Sequence, residues 1–377
     1  MSLQEIIQPA ARLQARTDPM KIFSSPALYI QGPGALERAG AVAAASGRRA
    51  LMVSDTIVLE LIGERMRRSV EAAGLAFHSV SFADDVTHAN VDRMVAQARE
   101  FAPDVVFACG GGKGIDAGKA VGDILGARMI SVPTAASSDA PTSRNYVFYS
   151  DTHALLSVEK LVRNPDAVLV DTAVIAQAPP RLLSSGIGDA LVKRWEAEQC
   201  IASGGPNMHG ASATIASSLL ARLCADVLLA DGPAALRVAG SGAPDSAFER
   251  VIEACLLLAG LGFEGSGLSI PHAMTRGLSA IPEAAAQLHG LQVAYALMVH
   301  FRLENRPEGF VAEMRDFYRA AGLPATLAEL GVTTVDESAI GIIADLTLKA
   351  PHTLNFERSL SAADIAEAIR SVEASPP

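Results

Sequence analysis

The chain has 377 residues, 50% of them hydrophobic and 19% charged, enough for two domains with cores and too apolar for a disordered chain. Its net charge of −10, with no basic block, excludes nucleic acid and anionic membrane as partners. No segment is apolar for long enough to span a bilayer, the polar positions in residues 1–20 leave no signal-peptide core, and the 4 cysteines form no C-x-x-C pair, so a reducing, cytoplasmic setting is expected.

Residues 1–23 read as a loosely attached extension. Strand and helix signals then alternate. Strands are expected at 27–30, 50–53, 77–82, 105–109, 128–132 and 167–170, with helices from Thr56 to about Ala73 and from Asn90 to Phe101. This alternation predicts an α/β domain over residues 24–178 with a doubly wound, mainly parallel sheet. Ligands of such sheets sit beyond the carboxyl ends of the strands. After Ala178-Pro179-Pro180 the apolar period becomes helical, as in Ile187, Leu191 and Trp195. Residues 179–377 are therefore expected to form an all-α domain.

The strongest local signal is the junction of Val105–Cys109 with Gly110-Gly111-Gly112-Lys113-Gly114-Ile115-Asp116. A buried strand runs into a tight turn that opens a helix. Glycines let backbone N–H groups approach a ligand, and a helix N-terminus favours negative charge. A dinucleotide diphosphate suits such a turn. The spacing matches neither G-x-G-x-x-G nor G-x-x-x-x-G-K-[ST]. A plain strand-to-helix turn with surplus glycine is the alternative.

Of the 8 histidines, His78, His88, His153, His209 and His352 have no chemical neighbours in sequence. His272 follows Pro271, which can open a helix, and His289 begins another apolar-periodic segment. Two helix starts joined by a short loop can bring both rings together. His300 would lie about 16 Å along that helix from His289, too far to share an ion. Asp189, in Gly186-Ile187-Gly188-Asp189-Ala190-Leu191, is a third candidate ligand. An Asp/His/His set with one open position is a catalytic zinc or iron arrangement. Alternatively Asp189 caps a helix and the histidines are unrelated. The segment from Val132 to Ser143 is crowded with hydroxyls around Asp139 and follows a strand, so it reads as a cofactor clamp or as a self-bonded loop.

Together these motifs resemble the glycerol dehydrogenase branch of the metal-dependent, iron-containing type alcohol dehydrogenases. The matching stretches are GGGKGID (110–116), VPTAASSDAPTS (132–143), NPDAVLVD (164–171), GIGDAL (186–191), Gly262-Phe263-Glu264 and His289-Gly290. The likeness runs from about Ser24 to the C-terminus. It implies a dehydroquinate synthase-like fold and an enzyme that interconverts a small polyol, glycerol first, and its ketone with NAD. It implies that Asp189, His272 and His289 hold Zn2+, with Fe2+ as the alternative. Gly111, Gly112, Lys113, Gly114 and Asp116 would follow the cofactor diphosphate. Thr134, Ser137, Ser143, Asn145 and Tyr149 would line the nicotinamide side, and Asp139 would contact substrate. Asp55, ending a strand, would face the adenine ribose, where a carboxylate selects NAD over NADP. A homo-oligomer is implied, an octamer in the family, as is a small-molecule partner with neither nucleic acid nor membrane. Ser143-Arg144-Asn145, Thr275 and Ala286-Gln287-Leu288 depart from the family pattern near the expected pocket. Other readings are a dehydrogenase of a phosphorylated polyol, a dehydroquinate-synthase-like lyase, and a non-catalytic nucleotide sensor. The first two need a cationic pocket, for which Arg144, Lys193, Arg194 and Arg276 are the candidates.

Overall fold

The computed structural model describes residues 18–83, 85–150 and 155–374; His153 and residues 1–17 lie outside them. The strands are β1 (Asp18–Lys21), β2 (Leu28–Gly32), β3 (Arg49–Asp55), β4 (Ala76–Phe82), β5 (Val105–Gly110), β6 (Arg128–Pro133), β7 (Asn145–Tyr149), β8 (Leu155–Lys160), β9 (Ala167–Asp171) and β10 (Ala211–Ser212). Contacts group Ser24–Leu183 with Arg237–Gly260 as one compact unit. The second unit holds Ser184–Leu236 and the chain from Leu261, together with the described residues before Ser24. The sequence reading drew its boundary near residue 178 and did not assign residues 237–260 to the α/β part.

In the α/β unit six strands form one sheet in the order β2-β9-β6-β5-β3-β4, every neighbouring pair parallel. Central strands are buried on both faces, so β5 and β9 read as continuous apolar runs rather than alternating ones. The helix Thr56–Ala72 packs with Met52, Phe107 and Cys109 on one face. The helices His88–Ala98 and Gly112–Leu125 pack with Val53, Val106 and Ala108 on the other. Adjacent strands β3 and β5 thus send their helices to opposite faces. That reversal opens a crevice at their carboxyl ends, where Asp55 and Gly110 stand.

Strands β7 and β8 pair antiparallel just beyond the hydroxyl-rich segment, a pair the strand signals did not include. Its anchor is Lys119, on the helix Gly112–Leu125. The buried ammonium donates to the carbonyls of Ala140 (2.6 Å), Ser143 (2.6 Å) and Asn145 (2.7 Å). Thr142 adds a bond from its hydroxyl to the Leu256 carbonyl (2.8 Å), and Asn164 donates to the Thr142 carbonyl (3.0 Å). Loop 140–145 is therefore fixed by three neighbours.

The second unit is helical. The helix His289–Leu303 is its axis, buried on nearly every side, with the Tyr318 hydroxyl donating to the Ala294 carbonyl at 2.7 Å. One small sheet interrupts it: β1 pairs in parallel with two-residue β10. Asn207 donates to the Ile22 carbonyl at 3.1 Å beside it. Residues 18–22, expected to be loosely attached, are thus tied down by backbone pairing. All four cysteines are buried as small core residues, and none forms a disulfide. Among the described residues no single helix is long and apolar enough to cross a membrane.

Replacing Lys119 by Met strands three carbonyls that share one charged donor. Lys119→Met should cost about 3 kcal/mol or more in denaturant unfolding. An unchanged midpoint would show that the loop does not depend on this ammonium.

Candidate active site

The glycine turn expected to face a cofactor lies at the crevice of the α/β unit. Gly110 has φ +140°, a conformation that L side chains rarely adopt. A β-carbon at Gly114 would lie 2.3 Å from the Cys109 carbonyl, and one at Gly118 would lie 2.4 Å from the Ala108 Cα. These glycines let the helix press directly on β5. Gly111, extended at ψ −164°, is the N-cap and makes no side-chain capping bond. The orphan N–H groups of that helix start are the donors a diphosphate would use. Ser137 and Ser138 stand over the turn, 3.4 Å and 3.1 Å from where β-carbons of Gly111 and Gly112 would be. The Thr134 N–H bonds the Gly110 carbonyl at 3.0 Å, joining the ends of β5 and β6.

Asp55 Oδ1 accepts from the Val58 N–H at 2.8 Å, capping the helix that follows it. Its Oδ2 lies 3.9 Å from where a β-carbon of Gly110 would be, so it borders the glycine turn. The Lys113 ammonium pairs with the buried Asp85 carboxylate and lies 6.0 Å from the centre of the Tyr149 ring. Asp116 is buried within the helix and accepts from the Val147 backbone. Burial, with Asp139 adding to it and Lys119 opposing, raises its carboxyl to about 7. Asp139 is therefore close enough to be felt by Asp116. Ser143 and Asn145 present their carbonyls to Lys119.

In the helical unit Asp189, His272 and His289 converge, one donor atom of each lying within 4.8 Å of the others. Asp189 Oδ1 is 3.4 Å from His272 Nε2 and 4.0 Å from His289 Nε2. Donors bound at about 2.1 Å around a tetrahedral centre are ~3.4 Å apart, so this set fits a divalent ion. Asp189 is not an N-cap; it lies inside the helix Pro180–Leu191. Gly188 explains why. A β-carbon there would lie 2.4 Å from the Gly290 carbonyl, and one at Gly290 would lie 1.8 Å from the Ser185 carbonyl. Two helices meet backbone to backbone, which brings Asp189 beside His289.

Each histidine-bearing helix is capped from this same stretch. The helix Ile270–Leu278 has no side-chain cap of its own. Glu196 Oε1 accepts from the Ser269 and His272 N–H groups, both at 3.0 Å. Its other oxygen lies 2.7 Å from His272 Nδ1. The helix His289–Leu303 also lacks its own cap, and Ser185 Oγ accepts from the Gly290 N–H at 3.2 Å. Burial would raise Glu196, but His272, Lys193 and the Ser269 N–H hold it down at about 2. An ionised Glu196 fixes the proton of His272 on Nδ1 and turns Nε2 toward Asp189.

Lys193 completes the cluster. It is 1% exposed, with Nζ 2.8 Å from Asp189 Oδ1 and 3.0 Å from His272 Nε2, and 5.0 Å from the Phe263 ring centre. Burial would raise Asp189, yet the Lys193 ammonium holds it well below the usual carboxylate range. Two N–H groups set against each other at 3.0 Å repel, so a single proton lies between Nζ and Nε2. His289 is half-exposed, giving the cluster a solvent-facing side.

Lys193 and Glu196 escaped the sequence reading as parts of this cluster. Their signal was present: Asp189, Lys193 and Glu196 follow an i, i+4, i+7 pattern on one helical face of an otherwise apolar run. Among the described residues the other histidines take no part. His88 stacks on Phe148 with centroids 4.0 Å apart, and His300 lies 3.2 Å from Glu304. Arg194 pairs with Asp226 (3.0 Å) and Glu198 (3.3 Å) on the surface.

A family model described as "Iron-containing alcohol dehydrogenase" matches residues 26–172. Glycerol dehydrogenase of Citrobacter freundii is 35% identical over 89% of this chain and 92% of its own length. Glycolaldehyde reductase of Halobacterium salinarum is 36% identical over 89% of this chain and 92% of its own. The crystal structure of a probable glycerol dehydrogenase from Sinorhizobium meliloti superposes with a TM-score of 0.87 at 35% identity, covering 94% of this chain and 99% of that one.

Glu196→Gln turns an amide N–H toward His272 Nδ1 and favours the tautomer with its proton on Nε2. Metal affinity should fall about 10- to 100-fold, read by competition with a chromophoric chelator. Gly290→Ala should force the two helices apart, lowering both the melting temperature and metal affinity. Unchanged metal binding in either variant would remove that residue from the support of the site.

Proposed function

Because this chain belongs to the iron-containing alcohol dehydrogenase family, we propose that it is an NAD-dependent oxidoreductase interconverting a small polyol, glycerol first, and its ketone. The observation that carries this reading is the convergence of Asp189, His272 and His289 at metal-ligand spacing. We take zinc as the ion, because two neutral nitrogens and one carboxylate leave a tetrahedral fourth position open. A divalent ion there supplies a Lewis acid that lowers the pKa of a substrate hydroxyl, and NAD supplies the hydride acceptor.

The protein's own residues bind and orient. Glu196 holds His272 in its ligating tautomer, and Ser185 and Gly290 hold the start of the His289 helix. In the α/β unit the Gly111 helix start takes the diphosphate, with Ser137 beside it. Asp55 receives the ribose hydroxyls and repels a 2′-phosphate, which favours NAD. Thr134, Ser143, Asn145 and Tyr149 belong to the nicotinamide side. Asp139 holds a neighbouring substrate hydroxyl and so selects the carbon that reacts.

A phosphorylated substrate is less well served. Arg194 is engaged by two carboxylates, and Lys193 by Asp189. A cytoplasmic homo-oligomer completes the reading. The exposed stripe Ile215, Leu219 and Leu223 on the helix Ile215–Val238 supports self-association.

The test is NADH formation from NAD with glycerol and a short panel of vicinal diols, before and after chelation and zinc add-back. Chelator-sensitive turnover restored by zinc is expected, and turnover indifferent to chelation would overturn the metal-assisted reading. Asp139→Asn should raise the polyol KM about 10-fold or more while the NAD requirement stays nearly constant. Loss of NAD affinity alone would contradict the role given to Asp139.

A further inference from the structure

The imidazole Nε2 of His272 has one lone pair. Lys193 Nζ lies 3.0 Å from that nitrogen and 2.8 Å from Asp189 Oδ1. A metal ion needs the same lone pair and the same carboxylate oxygen. The two cations are therefore mutually exclusive at His272, and they repel each other at Asp189.

We propose that Lys193 is a built-in placeholder cation that occupies the Asp189–His272 pair and competes with the metal for it. This rests on the metal reading of the cluster. The chemistry follows from where the side chain is. Lys193 opens the helix Lys193–Ala202, four residues after Asp189, and is 1% exposed, so its ammonium has no water to retreat into from its present position. Without a metal, it neutralises Asp189 and keeps the buried carboxylate from standing uncompensated. With a metal, it has to leave Nε2 and turn toward other acceptors. Metal binding is thereby weakened. His289 is outside this competition: its Nε2 lies 4.0 Å from Asp189 Oδ1, its ring centre is 5.3 Å from that of His272, and half of its side chain faces solvent. Entry of the ion is thus pictured from the His289 side, with displacement of the ammonium as the later event.

A neutral side chain of similar length removes the competitor and leaves Asp189, His272, His289 and Glu196 in place. Zinc affinity of the metal-stripped full-length protein is measured by competition with a chromophoric chelator, for wild type, Lys193→Met and Lys193→Gln. Thermal melting of each is recorded with and without zinc. Both variants should bind zinc on the order of 10-fold tighter or more. Their metal-free forms should melt lower than wild type, and zinc should raise the melting temperature by a larger increment. Using two variants guards against misfolding of the Met form alone. Equal or weaker zinc binding in the folded variants, with wild type binding one equivalent, overturns the placeholder role and leaves the metal site standing. No zinc binding by wild type or either variant removes the metal reading itself, and the placeholder with it.

Discussion

Two histidine-bearing helices begin without caps of their own, and the chain solves both with side chains from one short stretch. Ser185 takes the Gly290 N–H, and Glu196 takes the Ser269 and His272 N–H groups. Unsatisfied N–H groups at a buried helix start are costly, so these bonds fix where each helix can begin. The two histidine donors sit within two residues of those starts. Satisfying the backbone and assembling the ligands are consequently one event. The backbone contact between Gly188 and Gly290 sets the remaining separation.

A comparable economy governs the α/β unit. Gly114 and Gly118 press a helix onto β5 and so locate its N-terminus at the crevice. The same helix carries Lys119, whose ammonium gathers three carbonyls of loop 140–145. The glycine turn and the loop that follows Asp139 are thereby referenced to a single rigid element. Asp116, one helical turn before Lys119, is raised to about 7 largely because this region is dry.

Much of this was legible in the chain itself. Apolar runs at 50–53, 105–109 and 167–170 are strands because both faces of a parallel sheet are covered, and such burial leaves a plain signature. The three donor residues stood out by type and by the helix-start signals around them. Less visible were features that depend on distant partners. Nothing local says that Glu196 caps a helix more than seventy residues later, or that Lys193 bends back to Asp189. The antiparallel pair β7–β8 lies just past the hydroxyl-rich segment, and β10 has only two residues. The pairing of Lys113 with the buried Asp85 is concealed by sequence separation. The alternative of Asp189 as a cap came from the glycines before it; Gly188 serves close packing rather than a turn.

Asp55 serves two masters at one carboxylate: Oδ1 closes the first turn of the helix Thr56–Ala72, and Oδ2 borders the glycine turn. With Asp55 at the cofactor ribose, as proposed above, any drift toward a dinucleotide carrying a 2′-phosphate must remove the charge while keeping an acceptor for the Val58 N–H. Ser, Thr and Asn meet both conditions, whereas Ala forfeits the cap at about 1 kcal/mol. The menu of cofactor-switching replacements at this position is therefore written by helix capping as much as by the nucleotide.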